Sequence, residues 1–274
     1  MSRRPGWWLV FLKIIWPLTY LSARATRLPL VGGFFALLSR PFFTGPNFNV
    51  SHIPVNRTIE GSGSTVLPLE IVTELTRRSA HRVIIRRCTC RDSENCREFP
   101  IEEACLLLGE DTSRIDSRVA EHVSVDDALK HAEKMIGMGL IPMIGRVRMD
   151  DFFWGVPNRG KMLTICFCCR CCCTILKSAR YFPPYAADAL VRLKGLTVSV
   201  DPGKCVKCGA CVADCFMDAI TLGETAAIHN DALCKGCGRC ATVCPHGAVT
   251  IRLEDAAGAV QELSARIRER VDIE

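Results

Sequence analysis

The first 59 residues of this 274-residue chain contain no aspartate and no glutamate. They do carry seven basic side chains (Arg3, Arg4, Lys13, Arg24, Arg27, Arg40 and Arg57), so the segment is cationic throughout. The remaining 28 basic residues face 29 acidic ones, and the body of the chain is close to neutral. Long apolar runs are missing too. Trp7–Leu12, Ile14–Leu21 and Leu28–Leu38 are cut by Lys13 and by the pair Arg24 and Arg27, and none reaches the roughly 20 residues a spanning helix needs. The six histidines (His52, His81, His122, His131, His229, His246) show no metal or catalytic spacing, and His131 is expected to be a satisfied surface residue. No Ser/His/Asp grouping, paired carboxylates, flavin or nicotinamide fingerprint stands out. GVPNRGKM at 155–162 has the G-x4-G-K spacing of a phosphate loop, but Met162 replaces the hydroxyl that should bind magnesium and Pro157 sits inside. GSGST at 61–65 lacks a third glycine and a preceding strand, and reads as linker.

The acid-free segment holds three of the four tryptophans and seven further aromatic residues. Cationic, aromatic and apolar together suit the headgroup layer of an anionic membrane, and the charge is too diluted by apolar residues for nucleic acid. A peripheral or re-entrant anchor at the cytoplasmic face of the inner membrane is the expectation. The alternative is an apolar arm packed on a partner subunit. An export signal around Ser2-Arg3-Arg4 and Ala23-Arg24-Ala25 is argued against by Lys13 inside the apolar region.

Four regions follow from the pattern: 1–60, the anchor with a linker; 61–195, a cysteine-rich domain; 196–255, a duplicated unit; and 256–274, a terminal helix. Pro41 to Gly63 is rich in Pro, Gly, Asn and Ser and reads as linker. Leu69–Arg78 is compatible with a helix, and Arg82–Arg87 is a β-branched run entering Cys88. Ser124 and Asp127 form an N-cap signature for a helix with Ala128, Leu129, Ala132, Met135 and Ile136 on one face. Gly137 and Gly139 end it; Leu140–Val147 and Met162–Cys166 read as strands. The middle domain is therefore α/β or α+β, and the chain as a whole α+β. Val260, Leu263, Ile267 and Val271 lie at helical spacing, as in a helix docked on the body or a partner.

Cysteine is abundant, with eighteen residues. A disulfide scaffold with so many is usually short and loop-rich. A shift of 29 aligns Cys205, Cys208, Cys211 and Cys215 with Cys234, Cys237, Cys240 and Cys244. It also aligns Gly209 with Gly238, Ala219 with Ala248 and Thr221 with Thr250. Each copy reads C-x2-C-x2-C-x3-C, which wraps three corners of an iron–sulfur cube; in paired motifs the fourth cysteine ligates the other cluster. Cys205, Cys208, Cys211 and Cys244 are thus expected to hold one [4Fe–4S] cluster, and Cys234, Cys237, Cys240 and Cys215 a second. Zinc is the competing use of C-x2-C, disfavoured by eight cysteines in duplicated order. Gly209 and Gly238 let the loops turn.

CVKCGACVADC and CKGCGRCATVC resemble the bacterial two-cluster ferredoxins across about 196–253. The resemblance implies a ferredoxin-type unit of pseudo-two-fold symmetry. That family has proline after each fourth cysteine; Pro245 matches and Phe216 departs.

The middle domain has ten more cysteines, six of them in CFCCRCCC at 166–173. Were that run extended, Cys166, Cys168 and Cys172 would face one way and Cys169, Cys171 and Cys173 the other. A third centre is expected from among Cys88, Cys90, Cys96, Cys105, Cys166, Cys168, Cys169 and Cys172, most naturally iron–sulfur, with room for one or two further clusters. Arg87, Arg91, Arg97 and Arg170 lie nearby in sequence and would favour thiolate. With CTCR at 88–91, Cys96 and Cys105, the run resembles a group of ferredoxin-like proteins from anaerobes with a cysteine-rich domain ahead of the dicluster unit. The sequence thus points to single-electron transfer between redox partner proteins at the membrane face, as a carrier or redox-complex subunit rather than a stand-alone enzyme. The alternatives are a reductase with a catalytic centre in 61–195, and a redox-sensing or cluster-assembly module.

Overall fold

The computed structural model describes residues 4–55, 59–60 and 67–274; Arg3, Arg57 and the GSGST stretch lie outside them. Three short helices lead, α1 (Trp7–Ile15), α2 (Pro17–Ala25) and α3 (Gly32–Phe43). Pro17 has no N–H to bond back to Lys13, so the first apolar stretch is divided rather than continuous. Among the described residues, no helix is long and apolar enough to cross a membrane. The inner faces of α1–α3 dock on the rest of the chain. Leu12 is buried, and Trp8 Nε1 donates to the Phe153 carbonyl at 2.7 Å. Trp16 Nε1 donates to Thr174 Oγ1 at 2.7 Å, and Lys13 pairs with Asp92 at 3.1 Å. The outer faces stay bare: Ile14, Leu18, Phe34 and Leu37 are exposed, and in the turn between α2 and α3 Leu30 is 96% exposed.

The stretch that composition reads as linker contains two strands. β1 (Phe48–His52) is fully buried, and β2 (Ile59–Glu60) joins the last sheet of the chain. The flanking prolines and glycines hide β1, although its residues do alternate, with Phe48 and Val50 apolar and Asn49 and Ser51 polar. Then come α4 (Leu67–Arg78), β3 (Arg82–Ile85), α5 (Thr89–Ser93), β4 (Leu106–Leu108), β5 (Ala120–His122) and α6 (Val125–Gly137). They are followed by β6 (Ile141–Val147), α7 (Arg148–Trp154), β7 (Leu163–Cys168), α8 (Thr174–Ser178) and α9 (Pro184–Ala187). Six strands form one sheet in the order β1-β6-β7-β4-β3-β5, and every neighbouring pair is antiparallel. The domain is therefore α+β and not α/β in the parallel sense. Gly145 on β6 faces Val50 of β1, and a Cβ there would lie 1.9 Å from the Asn49 carbonyl oxygen. Only glycine lets these strands close.

One sheet face packs on α4 and α6, where Ile71, Val72, Ala128, Ala132 and Met135 meet Leu106, Leu108 and Ile165. Leu107, between them on β4, faces the opposite way into a core with Leu12, Val83 and Phe153, as strand alternation requires. Ser124 Oγ caps α6 by accepting from the Asp127 N–H at 3.1 Å. His131 is buried rather than on the surface, its Nε2 2.9 Å from the Ala104 carbonyl oxygen and its Nδ1 3.4 Å from the Glu103 carboxylate. The 155–162 loop follows a helix and precedes a strand, the reverse of a phosphate loop. It is held by the buried Arg146, which pairs with Asp151 and donates to Asn158 Oδ1 at 2.7 Å.

The duplicated unit is β8 (Leu196–Val200), α10 (Ala210–Asp214), β9 (Ile220–Leu222), β10 (Ala227–His229), α11 (Arg239–Thr242) and β11 (Val249–Leu253). β8 pairs with β11 and β9 with β10, each antiparallel, so each copy contributes one strand to both pairs. β2 runs parallel beside β11. The backbone repeats with the sequence: left-handed residues fall at Lys207 and Gly236, Gly209 and Gly238, and Asp218 and Gly247, all 29 apart. Finally α12 (Ala256–Arg268), capped by Asp255, docks on the body. Leu263, Ile267 and Val271 are buried, and Arg266 donates to Asn49 Oδ1 at 2.5 Å and Ser51 Oγ at 2.7 Å on β1.

Phe216 explains its own departure from proline. It is buried in a core with Phe48, Val50, Met143, Cys168, Cys173 and Leu176, so it plugs the duplicated unit into the middle domain. It lies against His52 of β1, ring centroids 5.5 Å apart. Among the described residues neither buried His52 nitrogen has a hydrogen-bond partner, and burial, aided by nearby Arg239, pushes its pKa down to about 4. Two outcomes follow. Phe216→Ala should cost about 3–5 kcal/mol in denaturant unfolding; a loss below about 1 kcal/mol would contradict this packing role. Because the unfolded imidazole protonates first, the contribution of a neutral His52 is intact above pH ~6.5 and is lost as pH falls toward ~4. His52→Phe should remove up to about 3 kcal/mol of acid sensitivity across that window, measured as the difference between the two unfolding profiles.

Candidate metal centres

In the duplicated unit, the loop from β8 into α10 brings Cys205, Cys208 and Cys211 around one cavity, and Cys244 from the second run lines the same cavity. The Cys211 thiol is pushed up, first by burial and then by Cys244 and Cys205. The counterpart group gathers Cys234, Cys237 and Cys240 with Cys215 from the first run. Burial pushes Cys237 up to about 12, with Cys215 and Cys234 adding to it. Cys240 is raised by burial and by Cys237, Cys234 and Cys215. The Ala219 N–H donates to Cys215 Sγ at 3.3 Å and the Ala248 N–H to Cys244 Sγ at 3.2 Å, contacts that are again 29 residues apart. Sulfurs that converge from two runs, with backbone N–H groups donating to Cys215 and Cys244, fit a metal-bound thiolate set; a bound cation would deprotonate even the buried Cys211, Cys237 and Cys240.

The ten middle-domain cysteines do not alternate as an extended run. β7 ends at Cys168, and the chain then turns through Cys169 to Cys173 into α8. That turn sorts the thiols into two sets. Cys96, Cys169, Cys171 and Cys172 have sulfurs all within 4.8 Å of one another, with Cys96–Cys171 at 3.6 Å and Cys171–Cys172 at 3.5 Å. This is close to the shell of a single tetrahedral ion, where metal–sulfur bonds of about 2.3 Å leave sulfurs about 3.8 Å apart. Burial pushes Cys169 up to about 12, with Cys171 adding. Cys96 is held down: the Phe99 backbone N–H and the Cys172 thiol outweigh its burial.

The second set is Cys88, Cys90, Cys105, Cys166, Cys168 and Cys173. Cys105, just before β4, and Cys166 on β7 lie 3.1 Å apart, and Cys168 and Cys173 lie 3.2 Å apart. Cys90 bridges Cys88 and Cys173, and its hydrogen bond with Cys173, more than any other cause, pushes it up to about 12. Of the eight residues expected to supply one centre, three fall in the first set and five in the second. Cys171 and Cys173, outside the expected eight, complete them.

Among the four nearby arginines, only Arg91 is buried among thiols. Its charge faces Cys88, Cys169 and Cys105, so it touches both sets. Arg87 pairs with Asp92 and Glu102, Arg170 with Glu98, and Arg97 is exposed. An arginine that sequence proximity missed is Arg239. It is fixed by Asp214 at 2.8 Å and lies in the field of both Cys237 and Cys173. Only the alignment of the two runs, which puts it inside the second, could have drawn attention to it.

Residues 204–248 match the 4Fe-4S dicluster domain family. The match spans both cysteine runs and none of the middle domain. A comparison with curated proteins finds no match. The chain carries an iron–sulfur, ferredoxin-like domain, and its cysteine groups provide for at least one [4Fe–4S] cluster.

Proposed function

We propose that this chain is an electron-transfer protein with two [4Fe–4S] clusters, one on Cys205, Cys208, Cys211 and Cys244 and one on Cys234, Cys237, Cys240 and Cys215. The observation that carries the reading is the cavity lined by Cys205, Cys208, Cys211 and Cys244, drawn from both runs. Clusters bound there take up and release one electron at a time. The chain's own residues supply the setting. Backbone N–H groups of Ala219 and Ala248 bond to ligand sulfurs, which favours the reduced state. Phe216, His52 and Arg239 hold the duplicated unit against the middle domain beside Cys168 and Cys173, and Cys96, Cys169, Cys171 and Cys172 would form a third centre. Redox proteins are the partners this implies.

The same reading puts the chain at a membrane surface on the cytoplasmic side. Most of the exposed large apolar side chains lie between Trp7 and Phe42, on helices whose segment carries no acid. Such a face suits lipid with anionic headgroups. A reductase is the second reading, favoured by one observation, an apolar cavity of about 350 Å³ that reaches the second thiol set.

Two measurements test the proposal. Anaerobically purified protein should hold about eight irons with matching sulfide in the dicluster unit, and Cys244→Ser and Cys215→Ser should each lose about four. Retention of full iron by both variants would contradict the ligand exchange. For the membrane, Leu30→Glu, Phe34→Glu and Leu37→Glu together should weaken binding to phosphatidylglycerol vesicles at least about tenfold, since these side chains lie on bare outer faces. Unchanged partitioning would remove the membrane from the account.

A further inference from the structure

The six thiols outside the quartet border a cavity much roomier than the one between Cys205, Cys208, Cys211 and Cys244, and Cys169 of the quartet reaches it as well. Cys88, Cys90, Cys105, Cys166, Cys168 and Cys173 all line a single cavity of about 350 Å³. Its floor is the sulfur set carried by the start of α5, the residue before β4, the end of β7 and the start of α8. Its roof is the inner side of α2 and α3, including Thr19, Ala23, Phe35 and Phe42. Phe153, Phe182 and Met143 form much of the wall; Arg87, Arg91, Asp150 and several Ser and Thr side chains also reach it, though most of the exposed lining is apolar. The volume is that of a site for a small organic molecule, and the lining is overwhelmingly apolar.

The second observation is Arg91. It is 1% exposed, and its Nε and Nη1 have no hydrogen-bond partner. Among the described residues no carboxylate is seen paired with it: its Nη2 donates to the Glu103 backbone carbonyl, and the neighbouring Asp92 is taken by Arg87 and Lys13. A buried guanidinium left among neutral thiols would be severely destabilising. Cys88 and Cys105, within its field, would compensate it as metal-bound thiolates. The dicluster unit adjoins this site, because Arg239 stands in the field of both Cys237 and Cys173.

We propose that Cys88, Cys90, Cys105, Cys166, Cys168 and Cys173 form an iron–sulfur centre separate from the quartet, with one side open to the cavity, and that the cavity admits a small apolar molecule to it. This rests on the electron-transfer reading, and it names the ligand class: an uncharged, largely apolar molecule of a few rings or fewer, entering beneath helices whose outer faces are themselves apolar. Six thiols exceed the four of a closed cluster site, so the set is built differently from the two in the dicluster unit.

The test uses the full chain, purified anaerobically, with tert-butyl isocyanide as an apolar probe that binds iron through carbon. Four proteins are compared: wild type, Cys90→Ser with Cys168→Ser, Cys96→Ser with Cys171→Ser, and Ala23→Phe, which narrows the cavity and leaves every thiol in place. Isocyanide should perturb the electron paramagnetic resonance of the wild type and of the quartet variant. The Cys90/Cys168 variant should lose iron and sulfide and the isocyanide response, yet keep the dicluster signal. Ala23→Phe should keep wild-type iron and bind the probe at least about tenfold more weakly. Wild-type iron content in the Cys90/Cys168 variant, or a wild-type spectrum indifferent to isocyanide, would overturn the proposal while leaving the electron-transfer reading standing. Absence of the dicluster signal from the wild type would sink that reading and this inference with it.

Discussion

A buried sulfur cannot carry negative charge unless something positive shares its surroundings, and this chain buries sulfur at an unusual density. Burial and mutual repulsion push Cys169, Cys211, Cys237 and Cys240 up, so as bare thiols they would stay protonated. The fold nevertheless brings them together, aims backbone N–H groups at Cys215 and Cys244, and sets the buried Arg91 and the half-buried Arg239 beside them. These arrangements stabilise thiolate and do nothing for neutral thiol. Iron–sulfur chemistry is the condition under which the packing makes sense.

The second dependence is the junction between the two cysteine-bearing parts. Phe216 occupies the place where the two-cluster ferredoxins that this unit resembles carry proline, and it fills a core shared with Cys168 and Cys173. His52 backs it with both nitrogens unpaired among the described residues, a cost that only close packing would offset. Arg239 spans the same boundary through Asp214 and the fields of Cys237 and Cys173. The β1 strand behind His52 also receives Arg266 from α12, so the chain terminus locks the junction.

Much of this could be read from the residues. The 29-residue shift marked the duplicated unit and picked out Gly209 and Gly238, both of which adopt left-handed backbone, because that spacing is local and repeated. Ser124 and the face of α6 were legible for the same reason. β1 was not: its neighbours Pro46 and Pro54 are turn formers, and its partner β6 lies almost a hundred residues away. The sorting of the ten middle-domain thiols was also hidden, since it depends on β7 ending at Cys168 and on which strand lies beside it. Arg91 and Arg170 look alike in sequence, and only the tertiary packing makes one a buried charge and the other a surface ion pair.

The most direct test of the central claim is a crystal structure of anaerobically purified protein with anomalous data at the iron absorption edge. The account predicts iron between Cys205, Cys208, Cys211 and Cys244, and between Cys234, Cys237, Cys240 and Cys215. Iron held by four cysteines of a single run, or disulfides in place of iron, would contradict it.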